Sequence, residues 1–281
     1  MNLRAAVVQM GSFDEPGVVT VRRLLPRIAE AAAQGARLVV FPEALVGGYP
    51  KGQDFGATVG RRTPEGRAQF RRYFERAITL SSAETSSIAA AAARSHVWVV
   101  VGVVERAGAT LFCTVLFFSP AGELAGIHRK VMPTAAERLI WGQGDGSTLT
   151  VLDTEFGRLG AVICWENYMP LLRYAMYRKG IQLYCACTVD DRDSWLWTMR
   201  HIAVEGRCFV LSACQYVDSL IRGGSLIVNP FGELLAGPHY GEETILLADL
   251  NLDLIPEGKF DLDVAGHYAR HDIFHLTVTG E

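Results

Sequence analysis

Gly160-Ala161-Val162-Ile163-Cys164-Trp165-Glu166-Asn167-Tyr168-Met169-Pro170 is the stretch on which the reading of this chain turns. An unbroken apolar run over 159–163 delivers a single cysteine, Cys164. Polar and aromatic residues follow, and Pro170 opens an amphipathic segment. That order predicts a buried strand ending on a thiol, a short turn, and a helix near 171–179 with Gly180 after it. Such a junction holds a nucleophile at the rim of a sheet. A thiol attacks well only when a partner lowers its pKa or takes its proton.

Outward from this junction, apolar runs predict strands over 3–10, 37–41, 97–105, 111–119, 148–153, 181–186, 208–215, 226–229 and 243–251, and 123–130 leads to Lys130. Helical spacing marks 19–34, 193–205, and a polar, Ala-rich stretch over 63–93 with a break near Ser81. Helices alternate with fully apolar strands in the first and third quarters, and hairpins fill the second. The pattern predicts an α/β fold in which sheets are sandwiched between helix layers. We expect one domain over 1–281, with an irregular tail from about 252.

The chain of 281 residues can bury a large core. Its net charge of -3, with no long Lys/Arg block, argues against nucleic acid or an anionic membrane as partner. No apolar run reaches the roughly 18 residues that span a bilayer, and the N-terminus enters a strand directly, so no signal peptide is expected. Five of the six cysteines (Cys113, Cys185, Cys187, Cys208, Cys214) lie inside apolar runs and read as core. A reducing, cytoplasmic setting fits them. The seven histidines show no metal-ligand spacing, and Cys185-Ala186-Cys187 on a strand makes a poor chelate. Gly142-Gln143-Gly144-Asp145-Gly146 lacks the Lys-Ser/Thr of a phosphate loop, and Gly102 opens no dinucleotide fingerprint. No metal or cofactor is implied.

Three further residues could do chemistry. Glu43 follows an apolar strand and Pro42, where desolvation raises a carboxyl into the range of a general base; it also reads as an ordinary exposed residue. Lys130 ends Ile127-His128-Arg129-Lys130, either a solvated basic face or a buried cation for developing negative charge. Glu137 either caps a short turn after Thr134 or supplies a second carboxylate beside the thiol and the cation.

Together, Phe41-Pro42-Glu43-Ala44, His128-Arg129-Lys130-Val131-Met132-Pro133-Thr134 and Cys164-Trp165-Glu166-Asn167-Tyr168-Met169-Pro170 resemble the three motif segments of the nitrilases, within the carbon–nitrogen hydrolase superfamily. The likeness extends to Gly47–Gly52, Glu137–Gly146, Met199–Cys208 and Gly223–Ser225. It implies a four-layer α-β-β-α sandwich. It also implies hydrolysis of an organic nitrile to the carboxylic acid and ammonia through a cysteine thioimidate and thioester. Cys164 would be nucleophile, Glu43 base and Lys130 cation, with Glu137 placing water. Tyr49, Trp165, Asn167 and Trp195 are the expected substrate contacts. The implied partners are a small nitrile, water and further copies of the chain, pairing through the helix after Cys164. An amidase or carbamoylase of the same superfamily, or an inactive scaffold, is the competing reading.

Overall fold

The computed structural model describes residues 1–280. In chain order the strands are β1 (Asn2–Gln9), β2 (Leu38–Val40), β3 (Trp98–Ala107), β4 (Thr110–Phe118), β5 (Leu124–Arg129), β6 (Val151–Thr154) and β7 (Gly157–Ile163). They continue as β8 (Leu183–Thr188), β9 (Phe209–Cys214), β10 (Tyr216–Val217), β11 (Ile221–Val228), β12 (Leu234–Tyr240) and β13 (Thr244–Asn251). The helices are α1 (Gly17–Ala33), α2 (Pro64–Arg76), α3 (Ala83–Ser95), α4 (Pro170–Arg178), α5 (Asp193–Gly206) and α6 (Leu254–Asp261). One sheet runs β13-β1-β2-β3-β4-β5; the other runs β10-β11-β9-β8-β7-β6, with β12 against β11.

Alternation along each strand sorts side chains onto two faces. Leu3, Ala5 and Val7 of β1 and Leu38 and Val40 of β2 share a core with Leu159, Ala161 and Ile163 of β7 and Leu183 and Cys185 of β8. That core lies between the sheets. The intervening residues Ala6, Val8, Val39, Val99 and Val101 face Val21, Leu24 and Ile28 of α1 and Ile88 and Ala92 of α3. On the far side, Val162, Tyr184, Ala186 and Val210 face Met176 and Tyr177 of α4 and Met199 and Ile202 of α5. The layers are therefore α-β-β-α, as expected.

The break expected near Ser81 has a local cause. Thr63 caps α2 by accepting from Gly66 N–H at 3.0 Å, and Ser82 caps α3 by accepting from Thr85 N–H at 3.3 Å. Between them, Ile78 N–H leaves the helix to bond Val104 O at 3.0 Å.

Three features differ from expectation. The strand expected over 226–229 begins earlier, because Gly223 and Gly224 lie inside β11 at φ +90° and +119°. Their bulge wraps the Gln9 side chain, whose Oε1 accepts from Gly224 N–H at 2.9 Å and Ser225 N–H at 3.0 Å. β12 was missed: Leu234-Leu235-Ala236-Gly237-Pro238 shows no alternation. The tail beyond 252 is not wholly irregular, since α6 occupies Leu254–Asp261; it buries only Ile255 and Gly258, too little for a periodic pattern.

Strand direction brings the chemistry together. β2, β3 and β5 run the same way, so Glu43, just past β2, and Lys130, just past β5, emerge at one edge. Cys164 leaves the end of β7 in the facing sheet. Gly102 lets the turn after β2 approach β3. A Cβ at Gly102 would stand 2.3 Å from Pro42 O and 2.6 Å from Glu43 Cα. Gly102→Ala is therefore expected to cost about 1–3 kcal/mol of stability through overpacking and to displace Glu43. Thermal unfolding checks this, and an unchanged melting temperature would mean that the turn has slack there.

Candidate active site

Glu43 and Lys130 are both fully buried. Lys130 Nζ donates to Glu43 Oε1 at 2.7 Å and to Glu137 Oε2 at 2.8 Å, so one ammonium bridges two carboxylates. Its Nζ also lies 5.6 Å from the Trp141 ring centroid. Glu137 fills both sequence readings at once. Its Oε2 accepts from Thr134 N–H at 2.6 Å, at the start of its short 3₁₀ turn, while its Oε1 accepts from the Tyr49 hydroxyl at 2.7 Å. The chain then crosses back over Lys130: Gly144 N–H donates to Lys130 O at 2.8 Å. A Cβ at Gly144 would meet Arg129 O at 2.2 Å, which accounts for the glycine-rich loop without a phosphate.

Burial pushes the Glu43 carboxyl above its ordinary range, against the pull of Lys130. Burial pulls Lys130 down, but the surrounding carboxylates and thiols outweigh it and hold its pKa well above the ordinary value. Burial, reinforced by the Glu43 charge, pushes the Cys164 thiol well up, with Lys130 opposing. The resting site is thus a protonated lysine, a neutral thiol and a carboxyl of raised basicity.

Cys164 sits at φ +48°, a left-handed conformation that costs about 1–3 kcal/mol for a residue with a Cβ. The residues after it hold it there. Glu166 is fully buried; Ile163 N–H donates to its Oε2 at 2.8 Å and Val131 N–H to its Oε1 at 2.6 Å, tying the cysteine turn to the lysine segment. His128 Nε2 lies 2.9 Å from Glu166 Oε2. The thiol itself accepts from the Thr188 hydroxyl at 3.3 Å. Gln215 fixes the other side: its Nε2 donates to Glu43 O at 2.7 Å, and its Oε1 accepts from Ser12 N–H at 3.2 Å.

A cavity of about 420 Å³ adjoins Cys164, lined also by Tyr49, Glu137 and Trp165 together with Lys51, Ile140, Val189 and Arg192. Trp165 is clamped in its wall. Its Nε1 donates to Asp190 Oδ2 at 2.9 Å, and the Arg192 guanidinium, itself paired with Asp190, stacks 4.7 Å from its ring centroid.

Two expected substrate contacts lie elsewhere. Asn167 is fully buried, and its Nδ2 donates to Cys164 O at 2.8 Å and Val162 O at 3.3 Å, so it braces the turn from behind. Trp195 is buried in the layer between α5 and the sheet, where its Nε1 donates to Ser212 Oγ at 2.9 Å. Sequence reasoning missed Thr188, Asp190, Arg192 and Gln215. Asp190 and Arg192 stand just after an apolar strand, the same signal that marked Glu43. Nothing in the sequence marks Gln215.

The carbon–nitrogen hydrolase family profile matches residues 4–260. The chain is 56% identical to nitrilase blr3397 of Bradyrhizobium diazoefficiens, over 98% of this chain and 91% of that protein. It is 55% identical to an aliphatic nitrilase of Sinorhizobium fredii, over 99% and 96%. A bifunctional nitrilase/nitrile hydratase NIT4A of Nicotiana tabacum is 50% identical, over 98% and 86%. Among solved structures, Nit3 of Saccharomyces cerevisiae superposes with a TM-score of 0.76 at 22% identity, covering 97% of each chain. NitFhit of C. elegans gives 0.79 at 18%, covering 98% of this chain and 66% of that one. The solved structures establish the shared fold, and the close relatives, matched nearly end to end, make this chain a member of the nitrilases within the carbon–nitrogen hydrolase family.

Proposed function

We propose that the chain hydrolyses organic nitriles to carboxylic acids and ammonia, with Cys164 as nucleophile, Glu43 as base and Lys130 as the cation. The observation that carries this reading is the lysine shared between two carboxylates, one of which, Glu137, lines the same cavity as Cys164.

Glu43 takes the thiol proton, and the sulfur adds to the nitrile carbon. Negative charge grows on nitrogen, where Lys130 stabilises it and passes a proton; Glu43 hands the thiol proton on to Lys130, so the carboxylate and the ammonium are both restored. The thioimidate adds water, activated by Glu43 and held by Glu137; the C–N bond breaks, ammonia leaves and a thioester remains. A second water releases the acid and restores the thiol. Tyr49 and Trp165 line the path of the substrate. Amide release competes if the first tetrahedral adduct expels sulfur instead of ammonia.

We also propose that the chain folds as one domain, since β1 packs against β9 and β11 of the second sheet. Self-association through α4 is supported by Leu171, 69% exposed at its start. Met176 and Tyr177 of the same helix pack inward. The six free cysteines support a reducing compartment. Among the described residues no helix is long and apolar enough to cross a membrane.

The decisive experiment is a panel of aliphatic, aromatic and arylacetonitriles with ammonia, acid and amide all quantified. Ammonia from amides but not from the matching nitriles would favour the amidase reading. Cys164→Ala should release no ammonia, and turnover near wild type would sink the assignment. Glu43→Gln should lower kcat by roughly 10²–10⁴-fold, the range for a lost general base. Because Glu43 works ionised and its pKa is raised, kcat/KM should rise with pH along a limb above the ordinary carboxylate range. Lys130 and Cys164 are shifted upward too, so neither lysine nor thiol ionisation should cut activity at neutral pH. Leu171→Glu should lower the sedimenting mass if α4 forms the interface; an unchanged mass would exclude that surface.

A further inference from the structure

The two oxygens of Glu43 have different surroundings. Oε1 accepts from Lys130 Nζ at 2.7 Å and from the Cys113 thiol at 3.5 Å. Oε2 is buried and has no hydrogen-bond partner in the protein. Cys113 lies in β4, buried in the core between the sheets and outside the cavity lining, and the proposed reaction does not use its sulfur. We propose that Cys113 is a positioning residue for Glu43: its S–H, with Lys130, occupies Oε1 and so presents Oε2 as the oxygen that receives the Cys164 proton.

The terminal torsion of a glutamate is broad and roughly two-fold, so nothing intrinsic decides which oxygen points where. A single contact with Lys130 leaves the carboxylate plane free to turn about it. A second donor on the same oxygen fixes the plane. Cys113 is well placed for this, because its backbone carbonyl also accepts the Lys130 N–H at 2.8 Å. One residue thereby sets both the lysine and the glutamate. A thiol is a weak donor, so it orients Glu43 at a modest cost in basicity. Burial and the Glu43 charge keep the Cys113 thiol protonated, so it donates and does not compete as a nucleophile. Besides Cys113, the groups that act on Glu43 are Lys130 past β5, Glu137 on its 3₁₀ turn and Cys164 past β7. Tyr49, Tyr73, Cys187 and Cys214 feel its charge from the surrounding loop, helix and strands.

The inference rests on the nitrilase reading of Glu43, and its test is separable from it. In the full chain, Cys113→Val removes the donor at similar volume, and Cys113→Ser keeps one. The probe is iodoacetamide, with Cys164 alkylation followed by peptide mass against pH; kcat/KM for a nitrile turned over by the wild type is followed in parallel. In Cys113→Val the loss of a donor to the carboxylate should raise its pKa. The acid limb should move to higher pH, and alkylation below it should slow roughly three- to tenfold, the size of one weak hydrogen bond to a charged group. KM should stay unchanged, and Cys113→Ser should return toward wild type. A wild-type limb in Cys113→Val, or equal loss in both variants with an unmoved limb, would overturn the proposal. Should Cys113→Val not fold, as judged by thermal unfolding, Cys113→Ala carries the donor-loss arm with the same expectations. Alkylation needs no turnover, so failure of nitrile hydrolysis would remove the hydrolase reading and leave this test standing.

Discussion

The structure depends on one buried cation. Removing an ammonium from water costs several kcal/mol even after relaxation, and Lys130 is fully buried. Glu43 and Glu137 offset that cost from two sides, and each carboxylate then needs donors of its own. Tyr49 and Thr134 supply them to Glu137, and Cys113 supplies one to Glu43. Removing the cation would leave two carboxylates facing one another in a dry site, which typically costs more than a buried pair contributes. The arrangement is weak as a source of stability, and the chemistry explains its presence better than folding does.

The second constraint is on the backbone. Ala44, Ala135 and Cys164, one in each of the three segments that meet here, lie at φ +46°, +46° and +48°. Left-handed residues with a Cβ persist only where neighbours over-determine them. Gln215 holds the carbonyl of Glu43 next to Ala44, the Glu137–Thr134 bond closes over Ala135, and Glu166 and Asn167 pin the turn at Cys164. The polar groups around the site therefore divide in two. Some face the cavity, and others, equally buried, hold the backbone that aims them.

That division marks the limit of what the sequence discloses. Lys130, behind His128 and Arg129, is legible only through the motif around it; Cys164 and Glu43 are legible because they stand at the ends of apolar strands, Glu43 one proline beyond, and strand ends in such sheets converge. The four layers are legible for the same reason: runs such as 97–105 are apolar on both faces. Asn167 misleads because a polar residue near a nucleophile reads as a substrate contact, whereas its amide is turned toward carbonyls of its own turn. Cys113 reads as core and is core, yet its sulfur also touches Glu43; no local pattern encodes a contact made across 70 residues. Gln9 and the Gly223-Gly224 bulge fail in the same way, since each makes sense only beside the other.

In the proposed reaction, the upward shift of the Cys164 thiol is consistent with its role. A free thiolate here would add a third negative charge beside Glu43 and Glu137, with only Lys130 to balance them. Transfer of the thiol proton to Glu43 moves the negative charge from oxygen to sulfur without changing the total. The low dielectric that opposes spontaneous ionisation therefore puts much less opposition in the way of this exchange. When sulfur bonds to carbon, the charge moves on to the nitrile nitrogen. The cluster thus carries one mobile negative charge past a cation, and the raised basicity of Glu43 makes the first step less uphill than it would be with an ordinary carboxylate.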